Sequence, residues 1–221
     1  EQVLYHVPNM LTKINMLGHL LKDEETFNRV IVFAKTKVTA DNIFKFLTRK
    51  STGEIRVIHS NKGQNTRINS MDAFKAGEVK VLVATDVVAR GIDVSMVSHV
   101  INFDVPVIYE DYVHRIGRTG RANQTGNAIT FCNEAEVYHL NKIQKLINME
   151  IPTLMMPPEI EIMTTPFDEQ QEIARAIDDQ KRKEDPDFKG AFHEKKERPK
   201  KSKKSTGRGS SKSRKNSRRK K

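Results

Sequence analysis

What this 221-residue sequence lacks narrows it first. A single cysteine, Cys132, excludes an internal disulfide and any cysteine-based metal cluster, which suits a reducing compartment. Tryptophan is absent and aromatic residues make up 6% of the chain, which argues against recognition dominated by base stacking on exposed rings. No apolar run approaches the roughly 20 residues that span a bilayer. The opening EQVLYHVPNM also lacks the charged-then-apolar pattern of a secretion signal. These absences predict a soluble, cytoplasmic protein with no membrane partner.

Acid is nearly missing from one end. Residues 195–221 hold fifteen Lys or Arg against Glu197 alone, a net of +14 within a formal total of +11, so the rest of the chain sums to −3. The stretch KKSKKSTGRGSSKSRKNSRRKK has no apolar side chain larger than the Thr206 methyl and cannot offset its ordering entropy by burial. It reads as a disordered basic tail that binds polyanions such as RNA or ribonucleoprotein through counterion release, or one that merely solubilises.

From about residue 10 to 148, short apolar runs alternate with helical patterns. RVIVFA (29–34), EIRVIH (54–59), VKVLVAT (79–85), VSHVINF (97–103) and NAITFC (127–132) describe strands covered on both faces. Between them, KVTADNIFKFLTRK places Val38, Ile43, Phe44 and Leu47 near one helical face, and QNTRINSMDAFKAG does the same with Ile68, Met71 and Phe74 before Gly77 closes it. Such alternation predicts a three-layer α/β/α fold with a mainly parallel sheet. In parallel sheets ligands gather at the carboxyl ends of the strands. There the sequence puts Lys35-Thr36-Lys37, then His59 to Gly63, then Thr85-Asp86 with ARGID (89–93), and finally a helix EDYVHRIGR. Beyond residue 150, IPTLMMPPEIEIMTTPF reads as an extended segment draped on the domain, and DEQQEIARAIDDQKRKEDPDF as a short polar helix. The expected organisation is a domain over 1–150, an extension over 151–194 and the tail over 195–221.

HRIGRTGRA sets Arg115, Arg118 and Arg121 three residues apart with Gly117 and Gly120 between them. Planar, permanently charged guanidinium groups match phosphate oxygens, and glycine permits close backbone approach. The same turn also fits arginine stems lying over an apolar face and pairing with carboxylates.

Taken together, IVFAKTK, QNTR within HSNKGQNTRINSMDAFKAGEVKVLVATD, VATDVVARGID and YVHRIGRTGRA resemble motifs IV, IVa, V and VI of the second RecA-like domain of DEAD-box ATP-dependent RNA helicases, over residues 1–150. IHSNKGQNTR and the basic extension are most similar to the bacterial RhlE-like branch. Ser60 and Asn61 depart from the Gly-Asp or Gly-Asn more usual in the family.

The resemblance implies roles. Arg118 and Arg121 become arginine fingers reaching the γ-phosphate of ATP. Asp93, with Arg90 and Gly91, meets the ribose, although Asp93 also fits a helix or turn cap. His114 and Arg115 tie the arginine loop to the first domain. Thr85, Gln64, Arg67, Gly63, Thr36 and Lys37 contact the RNA backbone, so binding is expected to ignore base identity. Arg67 has Asp72 as an alternative partner, which the spacing fits less well.

The chain contains no GxxxxGK[ST], no DEAD and no SAT triplet. ATP and its Mg2+ are therefore expected to be held mainly by a first RecA-like domain upstream, with no metal site here and no turnover by this chain alone. Two other readings remain, a non-catalytic RNA-binding module and another superfamily 2 translocase half; His114 and the intact ARGID speak against the second.

Overall fold

The computed structural model describes residues 1–50, 53–86, 97–120, 126–185 and 187–188. Arg90, Gly91, Asp93, Arg121 and the basic tail lie outside the described residues. The strands are β1 (Gln2–His6), β2 (Val30–Phe33), β3 (Ile55–Ile58), β4 (Val81–Ala84), β5 (His99–Asn102), β6 (Asn127–Cys132) and β7 (Thr153–Leu154). They form one sheet in the order β3-β4-β2-β5-β6-β1-β7. Every pairing is parallel, for example Val30 with both Val81 and His99.

Alternation along the central strands feeds two apolar layers. Val30 and Val32 of β2, with Val81 and Val83 of β4, face a core that also holds Met16, Leu17, Ile43 and Leu47. Ile31 and Phe33, with Leu82 and Ala84, face the opposite layer and Phe74. The first layer is made by helices α1 (Met10–Leu20) and α2 (Lys37–Lys50), and the second receives α3 (Gln64–Lys75). Helices α4 (Tyr109–Ile116) and α5 (Val137–Ile147) bury Tyr112, Leu140 and Ile143 against Leu4, Val105, Cys132 and Ile151. Burial pushes the Cys132 thiol up to about 12.

The expected helix faces need two corrections. Val38 is 69% exposed, and its place on the inner stripe of α2 is taken by Ala40, three residues before Ile43. Ile68 is 46% exposed, because Ser70 and Phe74 are what α3 buries. Gly77 ends α3 as expected, with φ of 82°, a left-handed conformation natural to glycine.

The segment after β7 crosses the start of α1 and leads into α6 (Phe167–Glu184), an 18-residue helix. Met156 and Ile160 pack on the first core layer. Gln180 donates to the Ala135 carbonyl at 2.7 Å, and the Glu169 carboxylate accepts from Met10 N–H at 2.7 Å. Among the described residues no helix is long and apolar enough to cross a membrane.

Candidate functional site

Because the sheet is parallel, the carboxyl ends of β3, β4, β2 and β5 lie side by side on one edge. Gly63, Gln64 and Arg67 follow β3, Thr85 and Asp86 follow β4, Lys35 to Lys37 follow β2, and α4 follows β5. Segments far apart in sequence thus meet along one line.

At the end of β2 the Thr36 hydroxyl accepts from Thr39 N–H at 3.0 Å, which caps α2 and commits that oxygen within the fold. Lys37 is exposed and its Nζ donates to Asn61 Oδ1 at 2.8 Å, joining the β2 and β3 loops. The turn from His59 to Gly63 is built on His59. Its Nδ1 accepts Asn61 N–H at 3.3 Å, so Nε2 carries the proton and donates to Asp41 Oδ1 at 3.1 Å. Burial alone would raise the Asp41 carboxyl, but hydrogen bonds from His59 and Lys62 outweigh it and hold the group below the usual carboxylate range. Ser60 and Asn61 therefore sit in a turn organised by a histidine.

Gly63 precedes α3 with φ of −56° and caps nothing with a side chain. Only the Thr66 hydroxyl, at 4.0 Å, would approach a Cβ there, so neither packing nor backbone demands glycine. Its effect is to leave the first turn of α3 uncovered, a position that favours anions. Arg67 Nη1 donates to Gln64 Oε1 at 3.1 Å, so the two side chains meet and the guanidinium pairs with Gln64, not Asp72. Arg67 Nε is shielded from solvent and has no hydrogen-bond partner among the described residues. Thr85 is only 6% exposed at the end of β4, and its N–H reaches the Ile58 carbonyl at 3.4 Å.

The three arginines separate at helix α4. Arg115, expected to face another domain, is 2% exposed and fully engaged inside this one. Its Nε and Nη2 grip Asp86 at 2.6 and 2.8 Å, and Nη1 donates to Asn102 Oδ1 at 3.2 Å and to the Asp104 carbonyl at 2.8 Å. The guanidinium also lies 5.1 Å from the Phe33 ring centroid. The physical reason is periodicity: Asp111, Tyr112 and Arg115 form the buried face of α4, whereas Glu110, Val113, His114 and Gly117 face out. Arg115 thus locks α4 to the ends of β4 and β5. His114 has a 61% exposed side chain, with Nδ1 3.7 Å from the Asp111 carboxylate. Arg118 follows the helix end, half-exposed, with Nε donating to the His114 carbonyl at 3.2 Å. Gly120 has φ of 69°, which redirects the chain immediately before Arg121.

Sequence reasoning missed the polar residues that fix this edge from within. Asp104 Oδ2 accepts Lys35 N–H at 2.8 Å, and Lys13 Nζ lies 2.6 Å from Glu136 and 3.4 Å from Asp104. Burial would lower the Lys13 ammonium, but the two carboxylates outweigh it and hold it above its ordinary value. Glu136 also accepts Val105 N–H at 3.0 Å and Asn133 N–H at 2.9 Å. An available signal was Asn102-Phe103-Asp104 closing an otherwise apolar strand.

The family model described as the helicase conserved C-terminal domain matches residues 12–123. DEAD-box ATP-dependent RNA helicase 14 of Arabidopsis thaliana is 41% identical over 155 residues, covering 70% of this chain and 24% of that protein. Among solved structures, Escherichia coli DEAD-box protein SrmB, bound to regulator of ribonuclease activity A, superposes with a TM-score of 0.66 at 33% identity, over 75% of this chain and 96% of that one. Saccharomyces cerevisiae Dbp5 bound to RNA and ADP BeF3 gives 0.65 at 30% identity, over 80% and 45%. The chain belongs to the helicase conserved C-terminal domain family, and its likeness to SrmB over 96% of that chain places it among the DEAD-box proteins as a C-terminal RecA-like domain. It spans 21 to 24% of the length of the first relatives it matches. Plant proteins, fungal DBP2 and bacterial RhlB all occur among these relatives, so the comparisons reach the family and not a branch.

Proposed function

We propose that this chain completes an RNA-stimulated ATPase that unwinds RNA locally, by supplying arginine fingers to ATP and a backbone-gripping edge to RNA. The observation that carries the reading is the convergence of Lys37, Gln64, Arg67 and Thr85 on the sheet edge that also presents His114 and Arg118. These donors suit phosphate: Arg118 is half-exposed beside Gly117, and Arg67 keeps a shielded, unpartnered Nε. Among the described residues no group of three or more His, Cys, Asp or Glu is placed to hold a metal. ATP and Mg2+ are assigned mainly to a first RecA-like domain because this sequence contains neither GxxxxGK[ST] nor DEAD, and ATP supplies the phosphoryl group to be transferred.

In this reading Arg118 and Arg121 neutralise charge on the transferred group's oxygens, Asp93 with Arg90 and Gly91 meets the ribose, and His114 meets the first domain as the halves close. Arg115 acts from behind, as the residue that positions α4. Gln64, Arg67, Gly63, Thr85 and Lys37 hold RNA phosphates and sugars without reading bases, and Thr36 contributes its backbone. The basic tail adds RNA or ribonucleoprotein affinity. IHSNKGQNTR and that tail support membership of the bacterial RhlE-like branch, and the single buried cysteine supports a cytoplasmic setting.

The test uses the full-length enzyme. Arg121→Ala or Arg118→Ala is expected to lower RNA-stimulated ATP hydrolysis by about three to five decades, with RNA affinity retained. Unchanged turnover would overturn the assignment. RNA binding without any ATPase activity in the unaltered enzyme would favour the non-catalytic module.

A further inference from the structure

An apolar patch stands uncovered where the segment before α6 crosses the start of α1. Asn9 Nδ2 donates to the Met163 carbonyl at 2.6 Å and to Thr165 Oγ1 at 3.0 Å, and Met163 N–H donates to Thr12 Oγ1 at 3.0 Å. Asn9 and Thr12 are fully buried, so the crossing is pinned from beneath. Around these anchors Leu11, Ile162 and Phe167 remain 43, 62 and 70% exposed. A rigidly presented phenylalanine at that exposure gains by being covered. The rim is acidic: Glu159, Glu161, Asp168 and Glu172 are all exposed, and no Lys or Arg occurs between Lys145 and Arg175. Such a rim repels RNA and selects an apolar anchor joined to cations.

We propose that the patch is the docking site of the chain's own C-terminal segment, residues 189–221. That segment carries Phe192 and then fifteen Lys or Arg between 195 and 221. The reach suffices. Phe188 folds back beside Lys181, its ring centroid 5.7 Å from Nζ, about 21 Å along α6 from Phe167 at 1.5 Å per residue, and the residues from Lys189 to Lys195 extend to about 23 Å, so the cations from Lys195 onward reach the patch. Tethering makes the encounter intramolecular, at an effective concentration in the millimolar range, so modest contacts hold it. Docked there, the cations are withheld from RNA. A strand long enough to engage most of them displaces the segment, because each neutralised phosphate releases counterions. The tail is thereby kept from weak polyanions and surrendered to strong ones. This inference does not depend on the ATPase reading, and its test involves no ATP.

Zero-length carbodiimide cross-linking of the 221-residue chain, mapped by mass spectrometry, reads the contact directly. Cross-links from the lysines between 195 and 204 should concentrate on Glu159, Glu161, Asp168 and Glu172. They should vanish with oligouridine or with about 1 M salt, where the Debye length falls to about 3 Å. In a second arm, Glu159→Gln, Glu161→Gln, Asp168→Asn and Phe167→Ser together should raise the chain's affinity for oligouridine several-fold, by fluorescence anisotropy. They should leave a chain ending at residue 194 unchanged. Equal gains in both chains, cross-links scattered over all surface acids, or cross-links formed only between two chains would each overturn the proposal. The last outcome would assign the patch to a neighbour's tail.

Discussion

The carboxyl ends of β3, β4 and β2 and those of β6 and β1 belong to one sheet edge, yet their polar residues are used in opposite ways. Over β6 and β1, Asn9, Thr12, Lys13 and Glu136 pair within the fold, and the segment leading to α6 crosses above them. Over β3 and β2, Lys37, Asn61 and Gln64 are exposed and Arg67 is half-buried; Lys37 bonds Asn61 across the two loops, and Arg67 bonds Gln64 within the first turn of α3. Strand β5 is the seam, where Arg115 turns inward and His114 outward from adjacent positions of one helix. A cation after a strand is therefore not one signal. Lys13 and Arg115 fix geometry, and their worth lies in holding a unique arrangement, since a buried pair gains little over apolar packing but costs much when halved.

The largest effect expected from breaking this contrast is at the seam. Asp86→Ala removes both short bonds to Arg115 and leaves a guanidinium that is 2% exposed with the Asn102 and Asp104 oxygens as its remaining hydrogen-bond partners among the described residues. A loss of about 3 kcal/mol in stability is expected, the lower end for a broken buried pair because Asp86 itself is partly exposed. Urea unfolding of the chain measures it. On the outward half, Arg67→Ala should leave the unfolding midpoint nearly unchanged. It should weaken RNA binding of the full-length enzyme to the same degree across sequences and lower the salt slope by about one. If Arg67→Ala destabilised the fold as much as Asp86→Ala, the division into inward and outward cations would fail.

Much of this architecture was readable because the central strands are apolar on both faces. RVIVFA, VKVLVAT and VSHVINF each contain the observed strand, and Gly77 closes α3 where its left-handed φ requires. Strand β1 was not readable, since QVLYH becomes a strand through its pairing with β6, from Gln2 with Ala128 to His6 with Cys132. That partner is more than a hundred residues away, and no local pattern reports it. At the site, Gln64 and Arg67 could be placed together from helical spacing alone. Spacing does not separate Arg115 from Arg118, which stand three apart as Tyr112 and Arg115 do; the difference is that the helix ends at Gly117, so Arg115 lies on its buried face and Arg118 beyond its end, and the repeated HRIGRTGR pattern makes the three arginines look equivalent. Asp86, Asn102 and Asp104 owe their roles to strand neighbours fixed only in three dimensions.

The smallest expected effect sharpens the contrast from the inward side, at His99 on the amino end of β5. Its ring lies 4.3 Å from that of Phe27, and its buried Nδ1 has no hydrogen-bond partner among the described residues. Burial lowers its basicity below the ordinary value of 6.5, against a weaker opposing pull from Asp23. The unfolded chain then takes up a proton first as acid is added, so stability is complete above about pH 6.5 and declines below it, through the lowered folded value. His139, lowered by burial and by Lys35 and Lys183, acts in the same direction. His99→Phe keeps the aromatic contact and removes the proton site, so it should reduce the loss of stability between about pH 7 and 5, read as the difference in urea midpoints. An unchanged loss would assign that acid sensitivity to His139 and the α5–α6 side of the molecule.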